Sequence, residues 1–68
     1  MKPIAIRGNQ ILIHEKQNIG FIYDIIKNTR TEELNIQSIL ARGYWHEYEG
    51  EGPSKEELER IKALPVIK

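Results

Sequence analysis

The sequence predicts a small α+β domain in which a β-hairpin, extended to a three-stranded antiparallel sheet, is followed by two helices. Three observations carry this prediction. Isoleucine-rich runs separated by turn residues fill residues 4–27. Apolar residues recur at helical spacing over residues 31–42, and a capping-box pattern opens residues 54–57. The 68 residues make one domain, residues 1–68, near the lower size limit for independent folding.

The hairpin prediction comes from the first two apolar runs. Residues 4–7 and 11–15 are rich in β-branched side chains and are separated by Gly8, Asn9 and Gln10. Gly and Asn tolerate the positive φ that a tight turn needs. Residues 17–20 supply the next turn signal, after which a third strand is expected.

Residues 21–27 fit two structures. As a strand they alternate Phe21 and Tyr23 on one face with Ile22 on the other. As a helix capped by Asn18 they complete an apolar stripe with i, i+3, i+4 and i+7 spacing. Isoleucine and aromatic residues favour a strand, and Gly20 would weaken the first helical turn. The strand is therefore predicted.

The first helix is predicted over residues 31–42. Residues 29–32 match a capping box, with Thr31 as a competing N-cap. Gly43 is expected to end this helix in the left-handed conformation. The predicted apolar stripe of the helix consists of Leu34, Ile36, Ile39, Leu40 and Tyr44.

The second helix is predicted to start at the capping box of residues 54–57. Its inward residues are Leu58, Ile61 and Leu64. It is expected to stop before Pro65, because proline cannot continue a helix.

The two faces of the predicted sheet differ in character. One face, which two helices could cover, carries Ile4, Ile6, Ile11, Ile13, Phe21, Tyr23 and Ile25. The opposite face is half apolar, although a sheet covered on one side should have a polar outer face. Either the C-terminal helix or tail folds over it, or it is a partner surface or homodimer face. The dimer interpretation rests on Leu12, Ile22 and Ile26.

The aromatic–acidic segment, residues 44–49, is the strongest candidate for function. It holds three of the five aromatic residues, and large rings beside acids make a good contact surface. The predicted partner contacts are Tyr44, Trp45, His46, Glu47, Tyr48 and Glu49. A simpler interpretation places Trp45 in the core between the helices. It assigns the carboxylates to solubility and to protection of an edge strand.

Signatures of catalysis and of metal or cofactor binding are weak. His14 and His46 lie far apart in sequence, whereas zinc ligands usually occur at close spacing. Ser54 is explained as an N-cap, and Ser38 has no neighbouring base in sequence. The glycines form no phosphate-binding loop. We therefore expect no metal, no cofactor and no enzymatic activity.

Nucleic-acid binding is the alternative function, with Lys16, Lys27, Arg30 and Arg42 as the candidate contacts. If residues 19–28 were helical, residues 19–42 would resemble a helix-turn-helix spacing. Against this, the second helix would begin with Glu32 and Glu33, which repel phosphates. The basic residues are also scattered, and net charge is zero.

These observations favour a non-enzymatic protein-binding module, a small regulator or inhibitor that occludes a partner's surface. Residues 1–42 carry a net charge of +2 and residues 43–68 a net charge of −2, so association between unlike ends and a homodimer are both compatible with the chain. No apolar run is long enough for a membrane span or signal peptide. With no cysteine present, a cytoplasmic location is expected.

Overall fold

A five-stranded antiparallel sheet forms the centre of the computed structural model, which describes residues 1–67 and confirms the α+β class. Its strands are β1 (Lys2–Arg7), β2 (Gln10–Lys16), β3 (Ile19–Asp24), β4 (Thr29–Glu33) and β5 (His46–Glu47), in the spatial order β4-β3-β2-β1-β5. The helices are α1 (Ile36–Arg42) and α2 (Lys55–Lys62). Within the described residues, neither helix is long and apolar enough to cross a membrane.

The predicted hairpin and third strand are confirmed, because β1, β2 and β3 pair in sequence order. β3 ends at Asp24, earlier than predicted. The Asp24 carboxylate accepts a hydrogen bond of 2.9 Å from the Lys27 backbone N–H, and Asn28 has a φ of 53°. These features make residues 25–28 a turn and leave Ile26 76% exposed at its tip.

The predicted start of the first helix is wrong, because residues 29–33 form β4. This strand pairs with β3 along its whole length, from Asp24 opposite Thr29 to Gly20 opposite Glu33. Leu34, which was expected on the apolar stripe, is 74% exposed. Residues 29–32 match the capping-box pattern, but pairing with β3 across the turn of residues 25–28 places them in a strand.

Asn35 is the observed N-cap of α1. Its side-chain oxygen accepts a hydrogen bond of 3.1 Å from the backbone N–H of Ser38. Asn18, from the turn between β2 and β3, adds two acceptors: its backbone oxygen for the N–H of Ile36 and its side-chain oxygen for the N–H of Gln37. The helix therefore starts where two asparagines satisfy its free N–H groups.

The second helix agrees closely with its prediction. The Ser54 hydroxyl accepts a hydrogen bond of 3.1 Å from the Glu57 N–H, which is the N-cap half of a capping box, while the Glu57 carboxylate accepts from Arg60. Leu58 and Ile61 are buried, and Leu64 packs against the same cluster just beyond the helix.

The two helices cover opposite faces of the sheet, so the prediction that they share one face is wrong. The α1-side core consists of Ala5, Leu12 and Ile36, flanked by Ile4, Ile22, Ile39 and Trp45. The α2-side core consists of Ile11, Ile13, Phe21, Tyr23, Leu58 and Ile61, flanked by Ile6, Tyr48 and Leu64. α1 thus covers the half-apolar face, whereas the sequence interpretation assigned that role to the C-terminal helix or tail.

Ile4 lies on the α1 side although Ile6 lies on the α2 side. Residues two apart in a regular strand share a face, but a register shift between Pro3 and Ala5 interrupts β1. Such an extra residue in one strand changes the face of the side chains before it. The predicted grouping of Ile4 with Ile6 is therefore wrong.

Candidate partner-binding site

The aromatic–acidic segment connects α1 to the far edge of the sheet. His46 and Glu47 form β5, which pairs with β1 through Ile6 opposite His46 and Ala5 opposite Glu47. Partners across an antiparallel pair share a face. Glu47 therefore lies on the α1 side and His46 on the α2 side, so the segment straddles the edge of the sheet.

Trp45 is held on the α1 side by a cluster of contacts from Arg7. The Arg7 guanidinium lies 4.3 Å from the centre of the Trp45 ring. It donates a hydrogen bond of 2.7 Å to the backbone oxygen of Gly43 and two more to the side chain of Gln10. The buried Trp45 Nε1 has no hydrogen-bond partner among the described residues. Trp45 is thus mainly a packing residue, and Arg7 fixes its position.

Tyr48 packs on the opposite face, against the α2-side core. Gly52 lets the chain close over it: a Cβ at Gly52 would lie 2.5 Å from Pro3 Cγ and 3.2 Å from Tyr48 Cε1, and its φ is +74°. Trp45 and Tyr48 therefore contact different cores. The structure does not bring these two rings together into one contact surface.

Tyr44 is the exposed aromatic residue of the segment, with 90% of its surface accessible. The prediction of a left-handed Gly43 is wrong, because Gly43 has a φ of −100° and Tyr44 takes the positive φ, 57°. The packing of Trp45 explains why Tyr44, and not Gly43, takes the positive φ. It folds back so closely that a Cβ at Gly43 would lie 2.4 Å from its Nε1.

Tyr44 lies at the tip of the turn between Gly43 and Trp45, in a left-handed backbone conformation that costs a bulky residue about 1 kcal/mol. Non-glycine residues with positive φ are uncommon, and they concentrate at sites where strain is maintained by surrounding structure. Here the surrounding structure is the contact between Gly43 and Trp45. The Tyr44 ring is therefore displayed on a constrained backbone.

Among residues 1–67, no strand pairs with the outer edge of β5. The Tyr48 N–H donates a hydrogen bond of 3.2 Å to the Ile4 oxygen, and His46 pairs with Ile6. Alternate residues of an antiparallel strand hydrogen-bond to the same neighbour. The N–H and C=O of Glu47 therefore point away from β1, toward the free edge.

The side chains along this edge are exposed and acidic. His46, Glu47, Glu49 and Glu51 are all exposed. Among residues 1–67, the ion pairs join Glu57 to Arg60 and Glu15 to Lys62, and neither involves these carboxylates. Gly50, with a φ of +94°, bends the chain after Glu49, so these carboxylates do not form one straight row along an extended strand.

Of the two ion-paired carboxylates, Glu15 joins β2 to Lys62 of α2, whereas Glu57 pairs with Arg60 within α2. A hydrogen bond from Lys62 lowers the pKa of the Glu15 carboxyl, and the positive charge of Lys62 adds to this effect. A hydrogen bond from Arg60 likewise lowers the pKa of Glu57. Arg60 also donates a hydrogen bond of 3.1 Å to the Tyr23 hydroxyl. These groups serve the fold and leave the β5 edge unpaired.

The predicted dimer face is not a continuous surface. Leu12 is fully buried under α1, and Ile22 is half-buried in the same core. Ile26 is exposed, but it lies in the turn after β3. Leu12 therefore stabilises the domain and is not accessible to a second copy.

The predicted nucleic-acid contacts are not brought together either. The helix-turn-helix interpretation of residues 19–42 is wrong, because β3 and β4 occupy its first half. Arg30 is 8% exposed, donates a hydrogen bond of 3.1 Å to the Leu64 oxygen and lies over the Phe21 ring. Lys16 is exposed at the end of β2, and Lys27 is exposed in the turn after β3, so these two lie near opposite ends of β3. Arg42 is the last residue of α1.

The two histidines lie apart from any ligand cluster. His14 Nε2 lies 2.6 Å from the backbone oxygen of Gln17, to which it can donate a hydrogen bond. His46 lies on β5. Among residues 1–67, no group of three His, Cys, Asp or Glu side chains could hold a metal ion.

A pocket of about 350 Å³ is lined by Met1, Lys55, Leu58 and Glu59. It offers carboxylate and ammonium groups without a histidine or serine. The expectation that the chain is not an enzyme stays a prediction.

Sequence reasoning missed the residues that shape this site. Arg7, Gly43 and Gly52 position the segment, and their contacts join parts of the chain up to 49 residues apart, as in Gly52 against Pro3. Only Gly43 carried a local signal, and it indicated a helix end, not close packing against an indole. Comparison with protein-family models, with curated proteins and with solved structures gave no match to this chain.

Proposed function

We propose that this chain is a non-enzymatic protein-binding module, a small regulator or inhibitor that acts by covering a surface of its partner. The contact surface consists of Tyr44 and the exposed residues His46, Glu47 and Glu49. Trp45 and Tyr48 support this surface from the two cores. The absence of cysteine is compatible with action in the cytoplasm.

The exposed Tyr44 ring carries this proposal. Tyrosine is enriched among the residues that dominate binding energy, because it buries a large area and keeps a hydroxyl for hydrogen bonding. Its backbone is already constrained by the packing of Gly43 against Trp45. Less conformational entropy is therefore lost when a partner closes over the ring, and such preorganisation strengthens binding.

Photo-cross-linking tests the proposal directly. A photoreactive phenylalanine analogue replaces Tyr44 in the full chain expressed in the source cells, and cross-linked proteins are identified by mass spectrometry. The control places the same analogue at Thr31, which is exposed on β4 at the other edge of the sheet. One protein captured at position 44 and not at position 31 supports the proposal. Equal capture at both positions, or at neither, refutes it.

A matched pair of substitutions then measures the contribution of the ring. Tyr44→Ala should weaken binding to the captured partner about 30-fold, the effect of an interface anchor worth about 2 kcal/mol. Leu34→Ala removes another side chain that is 74% exposed, directly after β4 at the opposite edge of the sheet. It should leave the affinity unchanged. Equal effects of the two substitutions would exclude Tyr44 as an anchor.

A further inference from the structure

We infer that the free edge of β5 accepts an extended segment of the partner protein as an added strand, and that this segment carries lysine or arginine opposite Glu47. This inference rests on the proposed function and specifies the chemistry of the partner. It uses the backbone of β5, which the contact of Tyr44 alone does not involve.

The backbone of β5 offers one complete pairing position. The N–H and C=O of Glu47 point outward, because His46 and Tyr48 face β1. Trp45 on one face and Tyr48 on the other attach both ends of this short strand to the cores. The edge is therefore held extended before a partner arrives. Peptides that add a strand to such an edge gain affinity from main-chain hydrogen bonds.

The other edge of the sheet is less suited to this role. The N–H of Ile67 donates a hydrogen bond of 2.8 Å to the backbone oxygen of Arg30, and Val66 forms a parallel bridge with the same residue of β4. The C-terminal segment thus already occupies part of that edge. The β5 edge has the outward Glu47 groups and the exposed Tyr44 next to it.

Charge decides which segment fits. Glu47 and Glu49 are exposed, and the adjacent Arg7 guanidinium is already bonded to Gly43 and Gln10. Opposite charges directly across an antiparallel pair stabilise it, and like charges destabilise it. A basic residue across from Glu47 is therefore favoured.

A second copy of this chain is a poor occupant of the same edge. If two copies paired through the outward groups of Glu47, the two Glu47 side chains would lie directly opposite each other. Like charges at that spacing destabilise the pair. The acidic edge therefore selects against self-association and in favour of a basic partner.

The test titrates the isotope-labelled full chain with a capped hexapeptide in which lysine and valine alternate, observed by NMR. Amide shifts should concentrate at residues 46–48, and exchange of the Glu47 N–H should slow. A hexapeptide alternating glutamate and valine is the control and should leave these amides unchanged. Equal shifts with both peptides, or shifts at Glu32 as large as those at Glu47, would overturn the inference.

Three variants separate the backbone contribution from charge. Glu47→Pro removes the outward N–H and leaves the β1 pairing groups in place, so affinity for the lysine peptide should fall about fivefold. Glu47→Lys reverses the charge and should weaken binding about tenfold, which tests the inference even if the proline variant perturbs β5. Glu32→Lys makes the same charge change on β4 and should have little effect. Full affinity in both Glu47 variants would contradict strand addition.

Failure of this inference is distinguishable from failure of the proposed function. Capture of a partner through position 44, combined with no response of β5 to the lysine peptide, leaves the binding module intact and removes strand addition. A β5 response that depends on Glu47, with no partner captured at position 44, supports strand addition at this edge and refutes the proposed function, which Tyr44 carries.

Discussion

Substitution of Gly43 by alanine tests the packing that displays Tyr44. Gly43 has a φ of −100°, which alanine can also adopt, so a loss of stability on this change is steric in origin. The new Cβ would lie 2.4 Å from Trp45 Nε1, 2.6 Å from Trp45 Cδ1 and 2.7 Å from the backbone oxygen of Ile39. The indole and the last turn of α1 cannot both keep their positions.

The expected loss follows from this overpacking. Adding a methyl group where the surroundings cannot move freely costs about 2 kcal/mol. In a domain of this size, a loss of 2 kcal/mol lowers the melting temperature by about 10 °C. Displacement of the indole also removes the contact with the Arg7 guanidinium, which lies 4.3 Å from the ring centre.

Thermal unfolding by circular dichroism measures the stability, and fluorescence measures the indole, since the chain has a single tryptophan. Gly43→Ala should lower the melting temperature and shift the Trp45 emission to longer wavelength. Gly8→Ala is the control. Gly8 has a φ of +58° and nothing within 4 Å of an added Cβ, so alanine there should cost about 1 kcal/mol by backbone strain without changing the emission.

A Gly43→Ala protein that keeps both its melting temperature and its emission would refute the predicted clash with the indole. A double-mutant cycle with Trp45→Val adds a further check. The penalty of the alanine should shrink in that background, because the atoms nearest to the new methyl group have been removed. An undiminished penalty would assign the clash to the Ile39 oxygen alone.

Three other predictions follow from the same structure. Tyr44→Gly should change the free energy of unfolding in urea little, because relief of the positive-φ strain offsets the greater unfolded-state entropy of glycine, while binding of the captured partner is lost. A loss of about 1 kcal/mol would show that no strain is stored there. Glu15→Gln should cost less than about 1 kcal/mol at pH 7, since the Glu15–Lys62 pair is partly exposed. The pKa of Glu15 is lowered in the folded state, so the stabilisation from its charge is present above the unfolded pKa and is lost as pH falls through the folded pKa. The difference in stability between the two proteins should therefore vanish in acid. A difference that persists at pH 2 would show that it does not come from the charge of Glu15. Leu12→Ala should cost about 3 kcal/mol of unfolding free energy, as expected for a fully buried leucine, whereas Ile26→Ala at an exposed turn should change it little. Urea unfolding measures both variants. Similar losses in the two would contradict the α1-side core.

The parts of the fold that the sequence predicts correctly depend on local signals. The capping box at Ser54 and Glu57 needs only neighbouring residues, and α2 starts as expected. The same pattern at residues 29–32 did not start a helix, because β3 ends at Asp24 and the chain turns back over residues 25–28 to pair Thr29–Glu33 with it. The sequence predicted β3 to continue to residue 27 and so missed this turn. Asn35 caps α1 with help from Asn18, which lies 17 residues earlier in the chain.

The site was predicted as a segment but not as a geometry. Clustering of aromatic and acidic residues is visible in the sequence, and Tyr44 is exposed as a contact residue requires. The face of the sheet on which each ring lies depends on the register of β5 against β1, in which Ile6 pairs with His46. The positive φ at Tyr44 follows from a packing contact between Gly43 and Trp45, which sequence spacing does not reveal.

Attachment of β5 to both cores has a consequence for cooperativity. A two-residue strand at the edge of a sheet would ordinarily fray by itself, and its amides would exchange through local openings of low free energy. Here an opening that releases β5 must withdraw Trp45 from one core and Tyr48 from the other. The amides that pair β5 with β1 should therefore exchange only when most of the domain unfolds. Binding energy applied at this edge then raises the stability of the whole chain, since a ligand that needs the folded edge stabilises the folded state by mass action.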